Sequence, residues 1–166
     1  MKYFTNRNFR VVGEDGKEYG FGRSVWAMID TETRQPQDIL AIHDGAISEW
    51  IASDVECPIA KSSRVKMDKN LPVMRTIDTY YNDVDVNGHI NSVKYIEHVL
   101  DLFDLDWYRE HRLKRFEVAY VAEAHQGDRL SLWKEQTGVD EYCVRITRDD
   151  DTKQEIVRCL MKFVKD

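Results

Sequence analysis

The chain has 166 residues, 42% of them hydrophobic and 33% charged, an ordinary globular composition that excludes a disordered polymer and allows one core or slightly more. Its net charge of −6 argues against generic nucleic-acid binding, which draws on a basic excess. No stretch approaches the ~20 apolar residues that span a bilayer, and the N-terminus has no apolar signal core, so a cytoplasmic location is the default expectation.

In chain order, Phe4 to Val12 and Tyr19 to Asp30 read as two strands joined at Gly13 to Gly16, a hairpin. Pro36 ends that hairpin. Residues 43–53 have the spacing of a short helix with Ile47, Trp50 and Ile51 on one face. Residues 58–70 lack periodicity and suit a crossing between domains, with Val65 and Met67 as the material for a short strand. Val73 to Tyr81 is rich in Val, Ile, Thr and Tyr and predicts a strand. A single long helix follows, its apolar sector formed by Ile90, Val93, Ile96, Val99, Leu100 and Phe103. Four more strands are expected over 114–123, 129–136, 141–147 and 154–164, punctuated by Gly127-Asp128 and Gly138 to Asp140. This pattern alone supports an α+β fold with one long helix.

Cys57, Cys143 and Cys159 are odd in number and form no C-x-x-C pair, so they are expected to be small buried apolar residues rather than disulfide or zinc partners. Trp26, Trp50, Trp107 and Trp133 are expected as core or domain-interface anchors. His43, His98, His111 and His125 have no spacing that would bind a metal together, and no metal or organic cofactor is expected. Arg109, Arg112, Lys114 and Arg115, around His111, form a basic cluster in an acidic protein. Such a cluster is either a solvated loop between helix and strand or a patch that steers an acidic partner.

The segment DVDVNGHINSVKYIEHVLDLF, from Asp83, sets polar side chains on alternate positions at a strand-to-helix junction. Asp83, Asp85, Asn87, Gly88 and Ile90 match the first positions of a calcium loop. The closing carboxylate is replaced by Lys94, however, and the entering segment reads as strand, which weakens a calcium-binding module. Taken singly, Asp83 caps the turn or neutralises Lys94, Asp85 caps, Asn87 tolerates a left-handed turn, His89 starts a helix, Asn91 caps it, and Glu123 is an exposed strand-end glutamate.

Taken together, that segment resembles the active-site segment of the acyl-ACP thioesterases, Asp-hydrophobic-Asp-Val-Asn-x-His-Val-Asn-Asn-x-Lys-Tyr-Ile. Phe116 to Ala124 followed by Gly127-Asp128 resembles that family's later strand, and Ser24 to Pro36 resembles a strand and turn near the end of its first domain. The resemblance implies a hotdog fold, an antiparallel sheet wrapped around one helix. It also implies a complete hotdog over 66–166 and, over 1–65, the closing hairpin of a first one plus a linker helix. Read this way, the start of the first domain is missing, and the chain is either a fragment of a longer protein or one that pairs with a second copy as a homodimer. The partner implied is acyl carrier protein, with Arg109, Arg112, Lys114 and Arg115 as its docking patch.

The activity implied is hydrolysis of acyl-ACP to release free fatty acid. The alternative is a non-catalytic acyl-binding or structural hotdog protein. A thioester needs a nucleophile at its carbonyl carbon and donors at the developing oxyanion. No G-x-S-x-G is present, and the family's cysteine position is Ala124, which leaves carboxylate-assisted attack. By resemblance, Glu123 is the general base or attacking carboxylate, and Asn87 and His89 polarise the carbonyl or hold the water. Asp85 orients both, and backbone N–H groups beyond Gly88 add to the oxyanion site. Ser92 in place of the family's second asparagine touches only outer hydrogen bonding.

Overall fold

The computed structural model describes residues 3–52, 54–63, 65–68 and 70–165. It divides into two units, Met1–Lys61 and Ser62–Asp166.

In the first unit, β1 (Phe4–Val12) and β2 (Glu18–Ala27) pair antiparallel as a two-stranded sheet with Phe9 opposite Gly22. The turn closes through the Gly13 N–H on the Lys17 carbonyl (2.9 Å), and Gly16 takes the left-handed φ of +79° that the reversal requires. Strand β2 stops at Ala27, short of the expected Asp30. The Asp30 carboxylate instead builds a turn by accepting the Thr33 N–H at 2.7 Å, and local bonding of this kind competes with a ladder. The helix expected over 43–53 is not formed. Residues Ile39–Trp50 make 3₁₀ turns interrupted at His43, Asp44 and Gly45, whose φ values of 46°, 52° and 77° are left-handed. Of the expected apolar face, Ile47 is half-buried, whereas Trp50 is 84% exposed and Ile51 59%.

The second unit is a five-stranded antiparallel sheet in the order β3-β5-β6-β7-β4. The strands are β3 (Arg75–Asp78), β4 (His111–Tyr120), β5 (Arg129–Gly138), β6 (Glu141–Arg148) and β7 (Glu155–Lys165). Period-two alternation puts Leu130, Leu132, Val144, Ile146, Cys159, Met161 and Phe163 on one face, all buried in one cluster. The helix that covers this face is shorter than its periodicity suggests. Helix α1 (Ser92–Leu100) is followed by a break and then by α2 (Leu105–Glu110). The break has a chemical cause, since the Asp104 side chain accepts the Trp107 N–H at 2.8 Å and starts a new helix as its N-cap. Tyr95 and Val99, four residues apart, carry the buried stripe of α1, whereas Val93 is 53% exposed. Ile90 joins the core from outside the helix. This sheet on its helix is the hotdog architecture.

The opposite face of the sheet is crossed by the extended segment after Ser62. The Ser63 N–H donates to Glu117 Oε2 on β4 (2.6 Å), Arg158 on β7 donates to the Val65 carbonyl (3.4 Å), and the Asp68 N–H donates to Glu135 Oε2 on β5 (2.9 Å). Val65 and Met67 therefore form no strand. Strand side chains, not a ladder, satisfy this backbone.

Cys143 and Cys159 are buried, and burial pushes the Cys159 thiol up to about 12. Cys57 is half-buried. Trp50, and Trp26 at 49% exposed, do not anchor a core, whereas Trp107 stacks on His111 with ring centroids 3.7 Å apart. Among the described residues, no helix is long and apolar enough to cross a membrane.

Candidate active site

Two short segments of the second unit meet at one end of the sheet. The first, 83–91, is a miniature hairpin. Val84 and Ile90 bridge, the Asp85 N–H donates to the His89 carbonyl (2.8 Å), and the Gly88 N–H donates to the Asp85 carbonyl (3.1 Å). The left-handed residue is Gly88 (φ +81°), not Asn87 as expected. An added Cβ at Gly88 would meet nothing, so backbone conformation alone calls for glycine there. The Asp85 carboxylate fills the turn, accepting the N–H groups of Asn87 (2.8 Å) and His89 (3.3 Å). The Asn87 N–H, with that of His89 behind it, holds the Asp85 carboxyl below the usual carboxylate range.

The second segment, 123–128, leaves the end of β4. Strand β4 ends at Tyr120, so Glu123 stands beyond it rather than on it. Alternation nevertheless continues, with Ala122 packing against the core, Ala124 fully buried and Glu123 facing outward. The two segments are stitched together. The Ile90 N–H donates to the Ala124 carbonyl (2.9 Å), and the buried Thr79 hydroxyl lies 2.8 Å from the carbonyls of His125 and Asp128. Arg148 on β6 clamps the loop, donating to the Glu123 carbonyl (3.0 Å) and pairing with Asp128 (3.3 Å).

As a result, His89 Nε2 and Glu123 Oε2 lie 3.3 Å apart, with Glu123 53% exposed at the side chain. Asp85, Asn87, His89 and Glu123 are thus brought to one place, with Asn87 Nδ2 3.5 Å from Asp85 Oδ2. Asp83 is separate, being buried with its carboxylate on the Tyr80 N–H (2.7 Å). Most of the backbone N–H groups expected as oxyanion donors beyond Gly88 are already engaged. The N–H groups of Gly88, His89, Ile90, Asn91, Val93 and Lys94 all donate within the fold. Asn87 is exposed, and its side-chain amide reaches Asp85 only at the outer limit of a hydrogen bond. Among the described residues no three His, Cys, Asp or Glu converge as a metal site, and the calcium loop's Asp83 and Asp85 turn to different backbone groups.

One neighbour was not singled out for this chemistry in the sequence. His125, two residues beyond Glu123, meets the His89 ring edge-to-face with centroids 5.1 Å apart. The i, i+2 spacing from Glu123 on an extended segment was the available signal.

The basic cluster divides. Arg109 pairs with Asp106 and Arg115 with Glu117, each at 2.6 Å, while Arg112 and Lys114 are exposed on β4.

Residues 66–165 match the acyl-ACP thioesterase C-terminal domain, and residues 1–43 match the acyl-ACP thioesterase N-terminal domain. The chain belongs to the acyl-ACP thioesterase family. It is similar to the crystal structure of an acyl-ACP thioesterase from Bacteroides thetaiotaomicron, at 41% identity and a TM-score of 0.88, covering 99% of this chain and 64% of that one. The 12:0-ACP thioesterase from Umbellularia californica shares the fold with a TM-score of 0.82 at 19% identity, over 99% of this chain and 64% of that one. A chloroplastic palmitoyl-acyl carrier protein thioesterase from Gossypium hirsutum is 28% identical over 87% of this chain. The match spans only 38% of that relative's length.

Proposed function

We propose that this chain carries the hydrolytic centre of a thioesterase that releases free fatty acid from acyl-acyl carrier protein. The observation that supports this reading best is the 3.3 Å contact between His89 and Glu123 beside the Asp85-ordered turn.

In this reading Glu123 is the general base. It takes a proton from a water that His89 helps to hold, and the water oxygen bonds to the thioester carbonyl carbon. The carbonyl electron pair moves onto oxygen, where the Asn87 amide stabilises the developing charge. Collapse of the tetrahedral intermediate breaks the C–S bond, and the departing thiolate takes the proton from the Glu123 carboxylic acid. Asp85 acts through the turn, fixing the backbone at Asn87 and His89.

Ala124 gives the reading a further constraint. Its side chain is fully buried in the core, on the far side of the backbone from Glu123, so this position has no access to a carbonyl bound beside His89. The exposed Arg112 and Lys114 lie near the start of β4, roughly 20 to 26 Å along the strand from its end at Tyr120 at ~3.3 Å per residue, and Glu123 lies beyond that end. They are proposed to attract the acidic carrier from a distance rather than to grip it at the site.

The test is free-thiol release from acyl-acyl carrier protein substrates of graded chain length, by this chain and by its Glu123→Ala and His89→Ala variants. Turnover lost in both variants supports the proposal. Binding of the acyl carrier without turnover would favour the acyl-binding alternative.

A further inference from the structure

Polar contacts fix the ring plane of His89 only in part. Its backbone is held by Asp85, but the imidazole torsion is broad, and the contact to Glu123 constrains only one ring atom. A second restraint comes from His125, whose ring lies at 79° to that of His89 with centroids 5.1 Å apart, the edge-to-face arrangement that aromatic quadrupoles favour.

The His125 ring is itself on an ordered platform, although it is exposed. The His125 backbone N–H donates to Asp128 Oδ2 (2.9 Å), its backbone carbonyl lies 2.8 Å from the Thr79 hydroxyl, and Asp128 is paired with Arg148. Glu123 and His125 flank the buried Ala124 and reach His89 on two sides, one at Nε2 and one at the ring.

We infer that His125 is a positioning residue for the proposed reaction, holding the His89 imidazole in the plane that aims Nε2 at Glu123. Its kinetic consequence rests on the hydrolase reading. Its structural consequence does not.

The experiment compares His125→Ala and His125→Phe with the parent chain, by steady-state hydrolysis and by NMR of the His89 ring protons and nitrogens. His125→Ala is expected to lower kcat by about 10- to 100-fold, as small misplacements of a reacting group do, with KM and thermal midpoint held. His125→Phe keeps an edge-to-face partner and is expected to recover most of that loss. In His125→Ala the His89 ring signals are expected to move and its tautomer preference to weaken. Unchanged His89 signals would overturn the inference whatever the kinetics. A Phe variant as slow as the Ala variant would overturn it too, in favour of proton transfer by His125. If the parent chain hydrolyses nothing, that counts against the hydrolase reading alone, and the NMR arm still decides the role of His125.

Discussion

His89 and Glu123 come from a hairpin turn and from a loop beyond β4, and they meet at 3.3 Å because the Ile90 N–H bonds to the Ala124 carbonyl between them. In the proposed reaction both act on one water and so behave as a unit, and their losses should not multiply. Glu123→Gln and His89→Ala are each expected to lower kcat by about 100- to 10,000-fold, the usual contribution of a general base. The double variant should be no slower than the worse single. Single-turnover hydrolysis by all four proteins makes the comparison, and multiplied losses would mean that the two act independently.

In the proposed reaction Asp85 contributes without touching the reacting atoms. Its carboxylate fixes the Asn87 and His89 N–H groups, so Asp85→Ala should loosen the turn and cost about 100-fold in kcat with a small change in KM. Asp85→Asn retains one acceptor oxygen and should fall between the two. Because the Asn87 N–H lowers the Asp85 pKa, its contribution is present above the ordinary carboxylate value of 3.8 and is lost only as pH falls through the lower folded value. A carbon-13 titration of the Asp85 carboxyl reads that directly, and a midpoint at or above the ordinary value would contradict it.

Ala124 is fully buried, so Ala124→Cys would place a thiol in the core rather than beside His89. The variant is expected to hydrolyse no faster than the parent and to resist iodoacetamide at neutral pH until unfolded. Extra volume in a packed core should cost about 1–3 kcal/mol of stability. A faster or readily alkylated variant would show that the position does face the site.

The proposed steering by Arg112 and Lys114 has a salt signature. Replacing both with Glu should lower kcat/KM for the carrier-bound substrate by about tenfold at low ionic strength, with kcat unchanged. At high salt, where the screening length falls to about 3 Å, the variant and parent should converge. A loss that persists in high salt would point to direct contact instead.

The strands were legible because a period of two leaves little freedom. Leu130 and Leu132 on β5, Val144 and Ile146 on β6, and Cys159, Met161 and Phe163 on β7 must share a face, and they do. The helix was misread where periodicity and capping disagree. Phe103 continues the apolar spacing of Val99 and Leu100, yet Asp104 captures the Trp107 N–H and restarts the chain. The interruption at His43 to Gly45 left no pattern, since only glycine among the three announces a left-handed φ. The site residues were legible only by resemblance. Spacing shows Asp85, Asn87 and His89 as neighbours, but the approach of Glu123 and His125 depends on long-range bonds from Thr79, Ile90 and Arg148.

His98, on α1, gives the fold a pH dependence of predictable sign. Burial pushes its imidazole below the ordinary 6.5, against the opposing pull of the Asp83, Asp101 and Glu97 carboxylates and with a smaller push from Arg75. Its Nδ1 is buried without a hydrogen-bond partner among the described residues. In the unfolded chain this histidine takes up its proton at the ordinary value, whereas in the fold it does so only at lower pH. Between those two values the unfolded state holds more protons. Stability should therefore be full above about pH 6.5, decline as pH falls toward the folded value, and level off below it. His98→Leu removes this component, so the difference in urea midpoint between pH 8 and pH 5.5 should be smaller in the variant than in the parent. An equal difference in the two proteins would place the pH dependence on other groups.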